Sequence, residues 1–357
     1  MNLMNKPEIS ILIPLYNRRQ YAEDCINSAL NQTFQDFEII IRDDESTDGV
    51  FEFVKNRYAK EISSGKIKLF RNEKNLGEAF TVSRLLRDAT GKYLTILHND
   101  DMYLPQALQR LYDVAEKNSA DIVHCTNFLT SARDGVIAKG TRLQKISRDK
   151  NTVTHVEIMS PNLDDRFFEW LDGGTFQDLQ YNIFRREFIT ANEIFFYDAC
   201  CESLLFTLIW LMRAKVFVKI PDALYIRRDS PYSQTNDATS AIYKFEKSIP
   251  LRLRLFRSLD KFISECDFLK GNDEIQYYVK TKIFITHESL NNAANIKRGN
   301  KNYVELYNSI EDTFRKLYGS DAIYFALLFH WAHHMHFHKN KTQSLLRELI
   351  NTVDKEI

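Results

Sequence analysis

From Glu8 to Leu129 the chain repeats one pattern: a short β-branched or aliphatic run, a polar turn, then apolar residues at helical spacing. Glu8-Ile9-Ser10-Ile11-Leu12-Ile13-Pro14 reads as a buried strand stopped by proline, and Phe37–Ile41, Ile67–Phe70, Tyr93–Leu97 and Asp121–Leu129 read as further strands. Arg19–Asn31, Val50–Lys60, Ala79–Ala89 and the stretch from Pro105 to Lys117 read as helices. In the first of these, Tyr21, Ala22, Cys25, Ile26, Ala29 and Leu30 mark the apolar face. Strands alternating with helices in this way indicate a parallel sheet with right-handed crossovers.

In open α/β sheets, ligands bind beyond the carboxyl ends of the strands. Three such ends carry polar clusters here: Tyr16-Asn17, Asp43-Asp44, and His98-Asn99-Asp100-Asp101. Turn chemistry explains any one of them, because Asn and Asp favour such positions. Three at successive strand ends point to a shared site. Adjacent Asp100 and Asp101 suit an oxygen-ligated cation such as Mg2+ or Mn2+, which takes one or two carboxylates and completes its shell with phosphate oxygens. The alternative for the pair is a cap on the helix that begins near Pro105.

The remainder is less regular. Residues 141–175 are polar with few clear periods and read as a mobile loop beside the site, and Arg133-Asp134-Gly135 reads as a hairpin turn. Regular structure resumes at Phe184–Ile189; Glu202–Met212 is apolar enough for a core helix, and Val216–Ile220 and Leu224–Ile226 read as strands. Residues 228–240 have linker composition, so the expected domains are 1–235 and an all-helical 241–357 with segments near 241–269, 273–296, 301–317 and 321–338. Five of the nine histidines fall in 330–338, a segment open to three readings: metal binding through i, i+4 pairs, contact with a membrane surface or partner helix, or plain packing.

Forty-eight basic residues balance 48 acidic ones, so the chain has no general attraction for nucleic acid. The five cysteines form no CxxC pair and read as buried thiols. The N-terminus lacks the features of a signal peptide, and Leu204–Met212, the longest apolar window, is too short to span a bilayer. A cytoplasmic protein is the expectation.

The segment Ile9–Asn17, Gln32-Thr33-Phe34 followed by Phe37–Ile40, the run Asp43–Gly49, then Asn75-Leu76-Gly77, Gly91-Lys92-Tyr93-Leu94 and Asn99-Asp100-Asp101 stand in the order and spacing of the family 2 glycosyltransferases. The chain resembles that family well over 8–130 and loosely over 180–235. The resemblance implies an α/β fold of GT-A type, Rossmann-like, with a mostly parallel sheet flanked by helices. It also implies a nucleotide-diphosphate sugar donor, of UDP type, a Mn2+ or Mg2+ cofactor, and inversion at the anomeric carbon. The acceptor it implies is a glycan or lipid-linked hydroxyl in bacterial surface-polysaccharide synthesis. The helical region of over 100 residues offers, separately, a surface for peripheral membrane contact or for a homodimer.

Residue by residue, the resemblance puts Pro14 and Tyr16 at the nucleobase, with Asp44 accepting from a base N–H. It puts Asp100 near the ribose or metal and Asp101 on the metal. Arg84, or Arg87, and Arg228 fall where the diphosphate would lie, Arg228 within an Arg227-to-Ser233 segment that reads as a lid or as a solvated arginine pair. For the base that takes the acceptor's proton, Glu202 comes first and Asp198 second, with Ser203 standing where a second acid is expected. His98 replaces a customary acid and reads first as packing, or else as a bystander beside the site or a diphosphate contact; Gly173-Gly174 reads as an ordinary turn, or else a close-approach loop near the acceptor. Two rivals exist. A nucleotidyltransferase would want a Gly-rich basic loop after the first strand, where Pro14-Leu15-Tyr16-Asn17 stands instead. A non-catalytic nucleotide-sugar-binding or scaffolding protein is the alternative that the serine at 203 keeps open.

Overall fold

The computed structural model describes residues 6–131, 143–147, 153–171, 179–194, 202–229 and 258–273, together with 275, 276 and 279. They fall into two compact units, one of residues up to Asn162 and from Gly174 to Ala238, the other of Leu163–Gly173 and residues from Thr239 onward. The turn expected at 133–135, Gly173-Gly174, Asp198, Ser230, Ser233, the segments beyond 279 expected to be helical and the histidine-rich 330–338 lie outside the described residues.

The first unit opens with β1 (Ile9–Leu15), α1 (Arg19–Leu30), β2 (Phe37–Asp43), α2 (Val50–Arg57), α3 (Ala59–Ser63), β3 (Ile67–Arg71), α4 (Glu78–Asp88) and β4 (Tyr93–Ile96). It continues with β5 (Met102–Tyr103), α5 (Ala107–Asn118), β6 (Ile122–Thr130), β7 (Gln144–Ser147) and β8 (Glu157–Ile158). The second unit contributes α6 (Leu163–Leu171), after which β9 (Asn182–Arg185), α7 (Arg186–Ala191), α8 (Glu202–Arg213) and β10 (Phe217–Arg227) return to the first.

One sheet runs β3-β2-β1-β4-β9-β6-β10-β5, with β7 added on β6 and β8 on β10. The half from β3 to β4 is wholly parallel, as the alternating pattern predicts. β9 then enters antiparallel to both β4 and β6, and β6 pairs β10 in parallel again. Because helices cover both faces, β1 is buried along nearly its whole length, which is why it reads as a continuous apolar run. Ile9, Ile11, Ile13 and Leu15 share a core with Cys25, Ile26 and Ala29 of α1, Val50 and Val54 of α2, and Leu108 and Leu111 of α5. The opposite face carries α4, whose Val82, Leu85 and Leu86 are buried.

Several sequence expectations need correction. The helix expected over Val50–Lys60 breaks at Tyr58, whose hydroxyl donates to Asn27 Oδ1 at 3.0 Å and whose backbone leaves the helical region. The two strands expected over 216–226 are one, β10, with register shifts on either side of Ala223. Pro221 lies in the irregular part, where a missing ladder donor is tolerated. Residues 141–175, expected as a loop, contain β7, β8 and α6. In the second unit α6 buries Phe167 and Trp170, and Phe167 meets Phe268 at a ring separation of 6.1 Å; residues 258–265 are helical. Among the described residues, no helix is long and apolar enough to cross a membrane.

Candidate active site

The polar clusters that end β1, β2 and β4 are knitted into one network. The backbone N–H of Asn17 donates to Ser46 Oγ at 2.8 Å, Thr47 N–H donates to Asn17 Oδ1 at 2.9 Å, and Asn99 Nδ2 donates to the Asn17 carbonyl at 3.0 Å. Asn17 and Arg18 sit consecutively in the left-handed region, at φ 54° and 62°. Asn tolerates that conformation and Arg does so at a cost, so the surrounding bonds must hold the turn. Tyr16 stands out of it, 44% exposed, while Pro14 is half-buried within β1.

Asp43 and Asp44 part ways at the end of β2. Asp44 shares the strand parity of Ile40 and Arg42 and so points to the α4 side. Its Oδ1 accepts from Asn72 Nδ2 and Leu76 N–H, and its Oδ2 from Gly77 N–H, each at 2.8 Å. Glu45, at φ 61°, adds a bond from Asn75 N–H to its Oε2 at 2.8 Å. Two successive carboxylates therefore anchor the Asn75-Leu76-Gly77 turn that opens α4. Asp44, expected at the nucleobase, already has both oxygens engaged.

Asp43 went unselected by sequence reasoning. It is fully buried; Oδ2 accepts from Ser46 N–H at 3.2 Å and pairs with Arg71 Nε at 3.1 Å. Its Oδ1 is buried and has no partner among the described residues. Burial pushes this carboxyl above the ordinary range. Strand alternation was the signal that could have separated the two acids.

Asp100 and Asp101 also differ. Asp101 is buried, with Oδ2 accepting from the Tyr225 hydroxyl at 2.7 Å and Oδ1 from Arg228 N–H at 2.8 Å. Burial first, and the neighbouring Asp100 charge second, raise its carboxyl to about 7. Tyr225 is itself fixed edge-on between Tyr103 and Tyr181, at ring separations of 5.5 and 5.1 Å. Asp100 stays reachable, its side chain 21% exposed, and pairs with Arg18 Nη1 at 2.9 Å.

The expected diphosphate arginines take different places. The Arg228 side chain is only 2% exposed: Nε donates to the Asp100 carbonyl, Nη2 reaches Asp24 at 2.9 Å, and the guanidinium lies 4.5 Å from the Tyr21 ring centroid. It braces the aspartate pair from behind instead of facing outward. Arg84 is exposed and donates to Asn72 Oδ1 at 2.9 Å. His98, expected as packing, pairs with Glu78 Oε1 at 3.2 Å across the mouth of α4. Glu202 opens α8, whose Trp210 packs on Phe184 at 4.5 Å.

Among the described residues no three His, Cys, Asp or Glu side chains group into a protein-only metal cage. A cation that borrows phosphate oxygens does not require one. Asp100 offers it an accessible carboxylate, whereas Asp101 already accepts on both oxygens. The residues present fit a one-carboxylate site.

The model of the family described as "Glycosyl transferase family 2" matches residues 10–191, about half the chain. An uncharacterized glycosyltransferase of Haemophilus influenzae is 36% identical over 34% of this chain and 47% of its own length. The chondroitin synthase of Escherichia coli is 33% identical over 42% of this chain and 21% of its own. The chain thus spans less than half the length of these curated relatives. The crystal structure of S. aureus TarS 1-349 in complex with UDP-GlcNAc superposes with a TM-score of 0.62 at 18% identity, over 86% of this chain and 81% of that one. Motif order, sheet and family model agree over the same residues: the chain belongs to glycosyl transferase family 2 and has its GT-A fold.

Proposed function

We propose that the chain transfers a sugar, with inversion, from a uridine-diphosphate donor to a hydroxyl of a surface glycan or lipid-linked acceptor. The observation that carries this is the buried Oδ1 of Asp43, which has no partner among the described residues and lies beside the β1 and β4 ends. A buried acceptor left unpaired is costly, and a ligand N–H such as that of uracil would satisfy it. The exposed Tyr16 ring supplies a stacking surface for the same base. A relative that is a chondroitin synthase and a fold neighbour solved with UDP-GlcNAc support a nucleotide-sugar donor and a polysaccharide product.

In a single displacement, the acceptor oxygen attacks C1 as the bond from C1 to the diphosphate breaks. Glu202, with Asp198 as second choice, takes the hydroxyl proton. A divalent cation held by Asp100 would offset the negative charge of the departing diphosphate. Asp101, Tyr225 and Arg228 hold the Asp100 backbone in place, and Asp44 and Glu45 hold the turn beside the base. Residues from 241 onward are assigned to acceptor, membrane-surface or self-association contacts.

Isothermal titration with UDP, GDP and CMP in the presence of Mn2+, followed by donor-turnover assays, tests the proposal. UDP is expected to bind preferentially, Asp43→Asn to weaken it about tenfold, and Glu202→Gln to abolish turnover while leaving binding intact. Wild-type protein that binds no nucleotide would overturn the reading. Binding without turnover on any donor and acceptor would make the chain a nucleotide-sugar-binding protein.

A further inference from the structure

Arg18 has a place in the site that the proposed reaction does not yet use. It is the N-terminal boundary residue of α1, at φ 62° and ψ 41°, and its Nη1 lies 2.9 Å from Asp100 Oδ2 with both side chains about four-fifths buried. Its backbone is held before and after: Asn17 is bonded to Ser46, Thr47 and Asn99, and the Arg18 carbonyl accepts from Tyr21 N–H at 2.9 Å. A long residue kept in an unfavourable backbone conformation at a strand end is a recurrent mark of a functional position. The turn fixes where the guanidinium starts, and the side-chain torsions set where it ends.

The carboxylate that Arg18 occupies is the reachable one of the pair. Arg228, a second arginine near the pair among the described residues, meets the Asp100 carbonyl and Asp24. A divalent ion and a guanidinium compete for the same oxygens, and a diphosphate is the partner a displaced guanidinium recognises best, through paired N–H bonds. We propose that Arg18 is the resident counter-cation of Asp100: it holds that carboxylate in the donor-free protein and passes to the donor's diphosphate when a divalent ion takes Asp100. This rests on the donor-site reading above.

The test uses Arg18→Gln and Arg18→Lys in the full chain; both keep a long unbranched side chain at the left-handed position, and only the first removes the charge. Mn2+ alone, titrated against nucleotide-free protein and followed by the electron paramagnetic resonance of the free ion, reads the competition. R18Q should bind Mn2+ roughly three- to tenfold more tightly than wild type, with R18K close to wild type. UDP titrated calorimetrically at saturating Mn2+ reads the second half: R18Q should bind it roughly five- to thirtyfold more weakly. In an Asp100→Asn background the Mn2+ gain from R18Q should vanish. If R18Q folds poorly, R18K and D100N carry the test, since R18K should retain Mn2+ and UDP affinities that D100N loses. Unchanged or weaker Mn2+ binding by folded R18Q, or unchanged UDP binding, overturns the exchange while leaving the donor site standing. Wild type that binds neither Mn2+ nor UDP overturns both.

Discussion

The anchor of the Asn75-Leu76-Gly77 turn can be tested by replacing Asp44 with asparagine, which has the same shape. Asp44 now accepts from Asn72 Nδ2, Leu76 N–H and Gly77 N–H, each at 2.8 Å. Whichever way the new amide turns, it has one oxygen. Keeping the Asn72 and Leu76 donors sets an NH2 group against the Gly77 N–H. One charge-assisted bond is lost and two donors are brought face to face, at a cost of about 2–3 kcal/mol for closing the turn. At 1.36 kcal/mol per tenfold, the Gly77 amide should exchange with deuterium roughly 30- to 150-fold faster. Amides of β1 and β2, whose ladders do not depend on Asp44, serve as the internal reference. UDP affinity should fall in the same variant, because Asp44 sits between the turn and Asp43. If Gly77 exchanges at the wild-type rate in Asp44→Asn while the protein stays folded, the carboxylate does not hold the turn and the reasoning fails.

Other perturbations probe the framework. Burial, and secondarily the Lys219 charge, keep His124 neutral down to about 3, while its Nδ1 bonds Asn182 Oδ1 at 2.8 Å. Unfolded imidazole takes its proton near 6.5, so below that pH the unfolded chain binds the extra proton and stability falls with acidity: about 2 kcal/mol should be lost between pH 7 and 5, and His124→Gln should lose that much less by urea titration. Tyr225→Phe removes the hydroxyl bonded to Asp101 Oδ2 and should cost about 1–3 kcal/mol, more at pH 8, where the buried carboxylate is charged, than at pH 6. Gly91→Ala would put a Cβ 2.6 Å from Ser10 N and 2.8 Å from the Ile9 carbonyl carbon, so β1 and the entry to β4 must separate; a loss of about 1–3 kcal/mol should appear as a lower melting temperature.

The strands and helices of residues 8–130 were legible because periodicity is local. A buried central strand such as Ile9–Leu15 and an amphipathic helix such as Arg19–Leu30 announce their surroundings in their own residues. The break at Tyr58 was not legible, because a hydroxyl bond to Asn27 in another helix accompanies it. Neither was the antiparallel entry of β9 between β4 and β6, since nothing in four residues states which strands they will pair. Residues 141–175 showed few clear periods because β7 and β8 are short and lean on β6 and β10, and α6 is only 9 residues long.

The amino-acid order alone determined the α/β architecture, the family, and the strand ends at which a ligand would meet the chain. It listed the acids of that site without saying which way each would face. Only the folded chain decided that Asp44 ties a turn while Asp43 keeps a buried acceptor with no partner among the described residues, that Asp101 is buried under Tyr225 and Arg228 while Asp100 meets Arg18, and that Arg228 braces the site from behind. The reason is physical: a strand or helix follows from neighbours along the chain, whereas the protonation and reach of a carboxylate follow from burial and from donors supplied by residues far away in sequence.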